Sequence, residues 1–233
     1  MITLHTGKLG VGKSYSATLE VWKKINEGID CYVNWKIDFT DFYLYRQKSF
    51  IGLLIKLWKK ATFGNEKMGK VYFWKKMDEL YCIRNGELFF DEAHTDLNAR
   101  DWANIKPEFV RKITQSRKYK LNMHFITQHS GQVDVIVRRI ANDLVVHSKF
   151  SRLMFWKEYD GEKIEILANP LAPKPSSSGF GFHWFTMRFA KSYDTFALFE
   201  EFEAYKEKPM WDAEKVLRLK PESERTRSFF DHV

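Results

Sequence analysis

At 233 residues and 44% hydrophobic, the chain is long enough to bury a substantial core as one large domain, or as one domain with an appendage. A net charge of +8 and a pI near 9.3 suit a polyanion or an anionic membrane face, with a solvated basic surface as the plain alternative. No secretory signal is expected, and the longest apolar patch, FIGLLIKLW (Phe50 to Trp58), is too short to span a bilayer and carries a lysine, so no transmembrane helix is expected. Two cysteines, Cys31 and Cys82, lie far apart without metal-type spacing, the pattern of a reduced, cytoplasmic protein, with a single disulfide as the alternative.

In chain order, ITLHT reads as a short buried strand, followed by a helix from Ser14 to about Gly28 with Ala17, Leu19, Val21 and Trp22 as candidate core positions. DCYVNW (Asp30 to Trp35) is a second strand. An irregular aromatic and basic region follows, helical through its apolar centre. VYFW (Val71 to Trp74) is either a short strand or the start of the helix that runs through KKMDELYCI. GELFFDEAH is a strand running into acidic residues, KPEFVRKITQSRKYK a helix with a basic end, and NMHFITQH a further strand. GQVDVIVRRIAN is a short helix and DLVVHSKF a strand. This alternation predicts a mainly parallel, helix-covered sheet to about residue 150.

Beyond it, SRLMFWKEYDGEKIEIL reads as a hairpin turning at Asp160-Gly161, and ANPLAPKPSSSGFGF as a loop or linker. HWFTMRF reads as a strand and YDTFALFEEFEAYKEK as an acidic helix. The expected organisation is a core over 1–150, a hairpin, linker and helix packed on it over 151–214, and a polar tail over 215–233.

The chemistry starts at Gly7-Lys8-Leu9-Gly10-Val11-Gly12-Lys13-Ser14, which fits G-x-x-x-x-G-K-[ST] directly between a strand and a helix. Glycines let successive backbone N–H groups turn inward on phosphates, and the helix start adds its positive dipole end. Lys13 is expected to neutralise the β- and γ-phosphates, Ser14 to hold Mg²⁺, and Tyr15 to close the nucleotide-binding segment. Lys8 adds a second cation to the loop.

In LFFDEAH an apolar strand delivers Asp91 and Glu92. The aspartate suits support of the Mg²⁺ held by Ser14, and the glutamate suits polarising an attacking water, an arrangement for hydrolysis. A helix-capping acid is the plain alternative. HFITQH ends in Thr127 and Gln128, and in a parallel sheet ligands gather beyond the carboxyl ends of the strands, so Gln128 is expected beside the phosphates, with a strand-terminating turn as the plain alternative. An arginine from a neighbouring subunit can stabilise transition-state charge. Arg117 in QSRKYK is favoured, with Arg138, Arg139 and Arg100 as rivals; basic residues near a helix end also simply complement its dipole.

The order GKLGVGKS, FFDEAH, SRKY, HFITQH, VDVIVRRI and YDT resembles the Zot-type ATPases of filamentous phages and the packaging ATPases of membrane-containing icosahedral viruses, both of the FtsK/HerA superfamily. The resemblance covers residues 1 to about 197. It implies an α/β P-loop NTPase fold of the RecA/FtsK-HerA type, with helices on both faces of the sheet and a C-terminal β-hairpin and helix extension. It further implies a ring, often a hexamer, with ATP and Mg²⁺ between subunits and DNA in the central channel. By carry-over Lys13 and Ser14 match the phosphate-loop pair, Asp91 and Glu92 the acid pair, and Gln128 the polar residue closing the next strand. A capsid-vertex or membrane partner protein, and a place in the host cytoplasm or the virion, are part of the same implication. Filamentous-phage members carry a membrane-spanning helix after the ATPase domain, and this chain departs from that pattern. Nothing in it supports a tight-junction-toxin activity.

Twenty Phe, ten Tyr and eight Trp, with interleaved lysines, suit nucleic-acid strands. Lys59, Lys60, Lys75 and Lys76 are candidates for a DNA- or partner-facing surface, and Phe50–Lys60 could equally lie on a membrane or dock on a partner protein. The plain alternative is that most rings pack in the core. A DNA-translocating motor is the favoured function; an ATP-dependent assembly or membrane-docking switch and a small-molecule kinase are the alternatives.

Overall fold

The structure, a computed structural model, describes residues 1–48, 67–97, 106–169, 171–173, 175–193 and 209–218. Its elements are β1 (Ile2–Thr6), α1 (Lys13–Asn26), β2 (Cys31–Val33), α2 (Thr40–Lys48), β3 (Val71–Phe73), β4 (Gly86–Phe90), α3 (Pro107–Thr114), β5 (Leu121–Ile126), α4 (Val135–Ile140), β6 (Asp143–Phe150), β7 (Leu153–Asp160), α5 (Ile164–Ala168), β8 (Gly179–Trp184), α6 (Met187–Ala190) and α7 (Ala213–Arg218). The eight strands form one sheet in the order β3-β2-β4-β5-β1-β6-β7-β8. From β3 to β6 every pairing is parallel, and β7 and β8 add antiparallel strands at one edge.

Strands buried on both faces read as continuous apolar runs, and the side chains divide by period two. Leu4, Leu88, Phe90, Met123, Phe125 and Leu144 face a core with Phe109 and Ile113 of α3, Val137 of α4 and Ile164 of α5. Val33, Phe89 and Ile126 face the other side, with Tyr15, Val21, Trp22 and Ile25 of α1, Phe39, Phe189 and Trp211. Helices therefore cover both faces, as expected of the α/β P-loop architecture. In α1 the core positions Ala17, Val21 and Trp22 are buried and Leu19 is half-buried; Tyr15, Thr18 and Ile25 complete the stripe.

Several local expectations are corrected. The 71–74 segment is a strand, and the following MDELY is a 3₁₀ helix. The hairpin does not turn at Asp160-Gly161. Phe150 pairs with Leu153, so the turn is Ser151-Arg152, with Ser151 at φ 54°. Gly161 instead marks a close approach: its N–H donates to Asn142 O at 2.7 Å, and a Cβ there would lie 2.1 Å from Ala141 O. The chain then enters a 3₁₀ turn and α5 rather than a second strand. The strand expected in HWFTMRF begins earlier, at Gly179, and Met187–Ala190 is helical. The segment 169–178 is the expected loop over its described residues.

Cys31 is buried, Cys82 is exposed, and both are free thiols. Among the described residues no helix is long and apolar enough to cross a membrane. Phe50–Lys60, with Lys59 and Lys60, the acidic segment 194–208 and Arg100 all lie outside the described residues.

Candidate nucleotide site

Parallel strands place the loops after β1, β2, β4 and β5 along one edge of the sheet, and the site is built there. The loop after β1 owes its path to glycines. Gly10 and Gly12 take φ 77° and 88°, a region that other residues enter only with strain. Gly7 also leaves no room for a side chain, since a Cβ there would lie 2.8 Å from His147 O, and at Gly12 the Met154 thioether end packs 2.6 Å from where a Cβ would stand. The loop thus rests on β6 and β7. Its Leu9, Gly10 and Gly12 N–H groups donate to no backbone carbonyl among the described residues. Together with the first-turn donors of α1, they form the amide cradle that suits an anion.

Lys13 is buried, and its Nζ donates to Gly7 O at 2.8 Å and Lys8 O at 3.2 Å. Burial pulls its pKa down, and the Glu92 and Asp91 charges oppose that shift. An ammonium folded over its own loop is placed to exchange those carbonyls for phosphate oxygens. Lys8 and Leu9 are exposed at the tip, and Val11 is half-buried. The Tyr15 side chain turns away from the loop. It is buried among Phe185 and Phe189, accepts from Thr186 N at 3.0 Å, and donates to Trp184 O at 3.3 Å. Only its backbone N–H, in the first turn of α1, is left for a phosphate.

The second wall comes from β4. Ser14 Oγ donates to Asp91 Oδ2 at 2.6 Å, joining the phosphate loop to the acid pair. A hydroxyl and a carboxylate side by side are the hard oxygen donors that Mg²⁺ takes alongside phosphate and water, so these residues fit that ion. Burial pushes the Asp91 carboxyl up, against hydrogen bonds from Ser14 and the Glu92 N–H. Asn34, just beyond β2, holds the Asp91 backbone from both sides: its Oδ1 accepts from Asp91 N at 2.7 Å and its Nδ2 donates to Asp91 O at 2.9 Å. Sequence reasoning passed over Asn34; its only signal was a buried polar residue at a strand end.

Glu92 follows at φ 52°, a conformation uncommon for a residue with a side chain. Its N–H donates to Asp91 Oδ1 at 2.9 Å, and its carboxylate lies 3.3 Å from His94 Nδ1. The Glu92 side chain is 40% exposed, open to a water. The adjacent Ala93 N–H donates to Ile126 O at 2.9 Å, tying the acid turn to β5. Gln128 lies two residues beyond β5, half-buried, and its carbonyl accepts from Gly7 N at 3.3 Å. Lys13, Ser14, Asp91, Glu92 and Gln128 therefore share one edge.

The arginines do not. Arg117 is exposed, in the turn that leads into β5 from the opposite edge. Arg138 and Arg139 lie on α4, before β6, at that same edge. Arg138 is paired with Glu165 at 3.0 Å, whereas Arg139 is exposed. Lys75 is half-buried and Lys76 exposed, just beyond β3.

A buried feature without a sequence signal lies under the loop. His124 Nε2 is 3.0 Å from Glu87 Oε2, His124 Nδ1 is 3.1 Å from His5 Nε2, and His5 Nδ1 is 3.1 Å from His147 Nε2. The chain crosses β4, β5, β1 and β6 on the α1 face. Burial pushes the Glu87 carboxyl up, but hydrogen bonds from His124 and Asn122 outweigh it and hold the group below its usual range. A relay in which each imidazole donates toward Glu87 and accepts on its far side satisfies all three contacts from one carboxylate.

Desolvation lowers His5 well below 6.5 and His147 to about 4. Both folded values lie below the unfolded value, so the unfolded chain takes up protons first as pH falls. Their contribution is complete above pH 6.5 and is lost toward pH 4. Urea unfolding between these limits should show stability falling with acid, and His147→Gln should flatten the slope by ~1.4 kcal/mol per pH unit. An unchanged slope would remove His147 from the neutral buried set.

The family model described as zonular occludens toxin (Zot) matches residues 1–160. The N-terminal domain of zonular occludens toxin from Neisseria meningitidis is 15% identical with a TM-score of 0.47, covering 83% of this chain and 98% of that one. The DNA-packaging ATPase B204 from Sulfolobus turreted icosahedral virus is 14% identical with a TM-score of 0.42, covering 78% and 96%. A transcriptional regulator MraZ of Mycoplasmopsis pulmonis is 29% identical over 117 residues, 46% of this chain and 80% of that protein. The Zot match runs from β1 to the end of β7 and takes in the phosphate loop, the acid pair and Gln128. The chain belongs to the Zot family and carries a P-loop ATPase domain.

Proposed function

We propose that the chain is one subunit of an ATP-hydrolysing motor that moves DNA for a virus or mobile element, with ATP bound between subunits of a ring. The observation that carries this reading is the division of the chemistry between two edges. Phosphate loop, acid pair and Gln128 gather at one edge, while the exposed Arg117 stands at the other, where a neighbour's site can use it.

In this reading Lys13 leaves the Gly7 and Lys8 carbonyls to neutralise the β- and γ-phosphates. Ser14 and Asp91 would hold Mg²⁺, which would shield phosphate charge when bound. Glu92 accepts the proton of the attacking water, Gln128 orients that water, and Arg117 of the next subunit meets the charge developing on the transferred phosphoryl group. Water as the acceptor is supported by the 40% exposure of the Glu92 side chain, which leaves the carboxylate within reach of solvent.

The test is ATP turnover with and without single- and double-stranded DNA, beside solution mass with a non-hydrolysable analogue. DNA-stimulated turnover with assembly into a ring, a hexamer by family resemblance, is expected. Lys13→Ala should abolish turnover. ATP-dependent assembly without DNA stimulation would replace the motor with a switch, and turnover only with a small phosphate acceptor would replace it with a kinase.

A further inference from the structure

Strand β8 is patterned the wrong way round for a strand with one face on a core. In GFGFHW, Gly179, Gly181 and His183 turn inward, while Phe180, Phe182 and Trp184 turn outward at 65%, 60% and 64% exposure. A half-covered strand ordinarily keeps its rings inside and its small or polar residues outside. The inner side is already filled by β7. A Cβ on Gly181 would lie 2.2 Å from the Trp156 ring, and one on Gly179 would lie 2.4 Å from the Glu158 carboxylate. The glycines make room for those side chains, and the large rings are left facing solvent.

The cross-strand register extends the outer face. Phe182 stands opposite Phe155, and Phe180 opposite Lys157. Lys157 is exposed, and the neighbouring acids Glu158 and Asp160 alternate with it, Glu158 standing opposite Gly179 on the inner side. Rings and an ammonium share this face without a carboxylate from β7 or β8.

We infer that this face of β7 and β8 is a stacking platform for single-stranded nucleic acid. Three rings recur every second residue, about 6.6 Å of strand apart; the Phe180 and Phe182 centroids are 6.3 Å apart. That is roughly twice the ~3.4 Å rise per nucleotide in a duplex, a register that an extended single strand reaches. A duplex also hides its base faces, whereas an unpaired base offers one to each ring. Charge agrees, since Lys157 meets a polyanion and the chain carries +8. Area decides against a second protein. At ~150–250 Å² per aromatic side chain, three rings at this exposure present roughly 300–450 Å². A standard protein interface buries about 800 Å² on each side.

The platform is also joined to the nucleotide site. Met154 of β7 lies under Gly12, and Trp184 O accepts from Tyr15 of α1. This deepens the motor reading by naming the strandedness of its DNA, yet binding itself needs no turnover.

The experiment is equilibrium binding of a labelled oligothymidylate, and of a duplex, to the full chain without nucleotide at fixed salt. The Phe180→Ala/Phe182→Ala double variant should bind oligothymidylate at least ~10-fold more weakly, since each stacked base contributes ~1–3 kcal/mol. Duplex affinity, melting temperature and basal ATP turnover should stay unchanged. Lys157→Ala should weaken binding and reduce the salt slope by ~0.7. Unchanged oligothymidylate affinity in the double variant overturns the platform, as does a wild-type chain that prefers the duplex. A drop in solution mass would make the face a contact between copies, and loss of anionic-vesicle binding alone would make it a membrane face; either overturns it. Repeating the measurement on Lys13→Ala separates the two readings. Binding kept with turnover lost leaves the platform standing whatever becomes of the motor.

Discussion

Glu92→Gln is expected to bind ATP with near wild-type affinity and to turn it over at least ~100-fold more slowly, the scale of a lost general base. The two side chains have the same shape, so the contact with His94 survives in form while the carboxylate charge disappears. Three features hold this residue where it is. Its φ of 52° bends the chain sharply after Asp91, its N–H is fixed on Asp91 Oδ1 at 2.9 Å, and the next N–H is fixed on Ile126 O. A non-glycine residue held in that region costs of order 1–3 kcal/mol, and such strain tends to cluster at functional sites. A capping acid with no part in chemistry would behave otherwise. Its amide analogue would leave turnover near wild type, and single-turnover measurement with ATP in excess of its dissociation constant separates the two cases. The variant should also retain unhydrolysed nucleotide through gel filtration, because Lys13, Ser14 and Asp91 are untouched. Normal turnover in Glu92→Gln removes Glu92 from its role and leaves the binding half of the site intact.

The sequence showed the site unevenly, for physical reasons. The phosphate loop was legible because its function is mostly backbone: a backbone cradle demands glycines at fixed spacing, and glycines can be read. Asp91 was legible because a buried apolar run ends in it downstream of a phosphate loop, the context that gives such an acid its meaning. Asn34 was not, since its work is a pair of hydrogen bonds to a backbone 57 residues away, and no local pattern encodes that. The Glu87–His124–His5–His147 chain hides for a similar reason: four unremarkable residues on four strands meet only through the parallel register. Tyr15 divides its two parts, with the backbone N–H kept in the first turn of α1. Its position next to Ser14 suggested the nucleotide, but α1 turns its ring into the core. The Asp160-Gly161 pair read as a hairpin turn because an Asp-Gly sequence has that chemistry, whereas the tight packing of Gly161 on Ala141 decided its conformation. The true turn, Ser151-Arg152, contains no glycine and left no signal.

Arg117→Ala is expected to spare ATP binding by isolated subunits and to lower turnover of the assembled ring by ~10³-fold. Distance excludes a role for Arg117 at its own site and leaves only one in trans. Arg117 precedes Leu121 at the start of β5, and Gln128 lies beyond its end. At ~3.3 Å per residue, roughly 20 Å of strand separates Arg117 from its own phosphate site, far beyond the reach of a side chain. The turn that presents it is rigid. Lys118, Tyr119, Lys120 and Leu121 each donate a backbone hydrogen bond within it. Lys112 braces it from below, with Nζ 3.8 Å from the Tyr119 ring centroid and bonded to Ile83 O. Arg138 makes a poor rival because Glu165 already holds it, so its loss should register as lower melting temperature rather than lower turnover in the ring. Mixing resolves the question. Arg117→Ala subunits keep a working phosphate loop, and Lys13→Ala subunits keep a working arginine, so a mixed ring rebuilds complete sites at one kind of interface. Turnover should peak at an intermediate ratio and exceed that of either variant alone. An arginine acting within its own subunit gives no such peak, because every site in the mixture then lacks one essential cation. Arg139, exposed at the same edge, serves as the control: Arg139→Ala mixed with Lys13→Ala should show no maximum if Arg117 is the residue that crosses the interface.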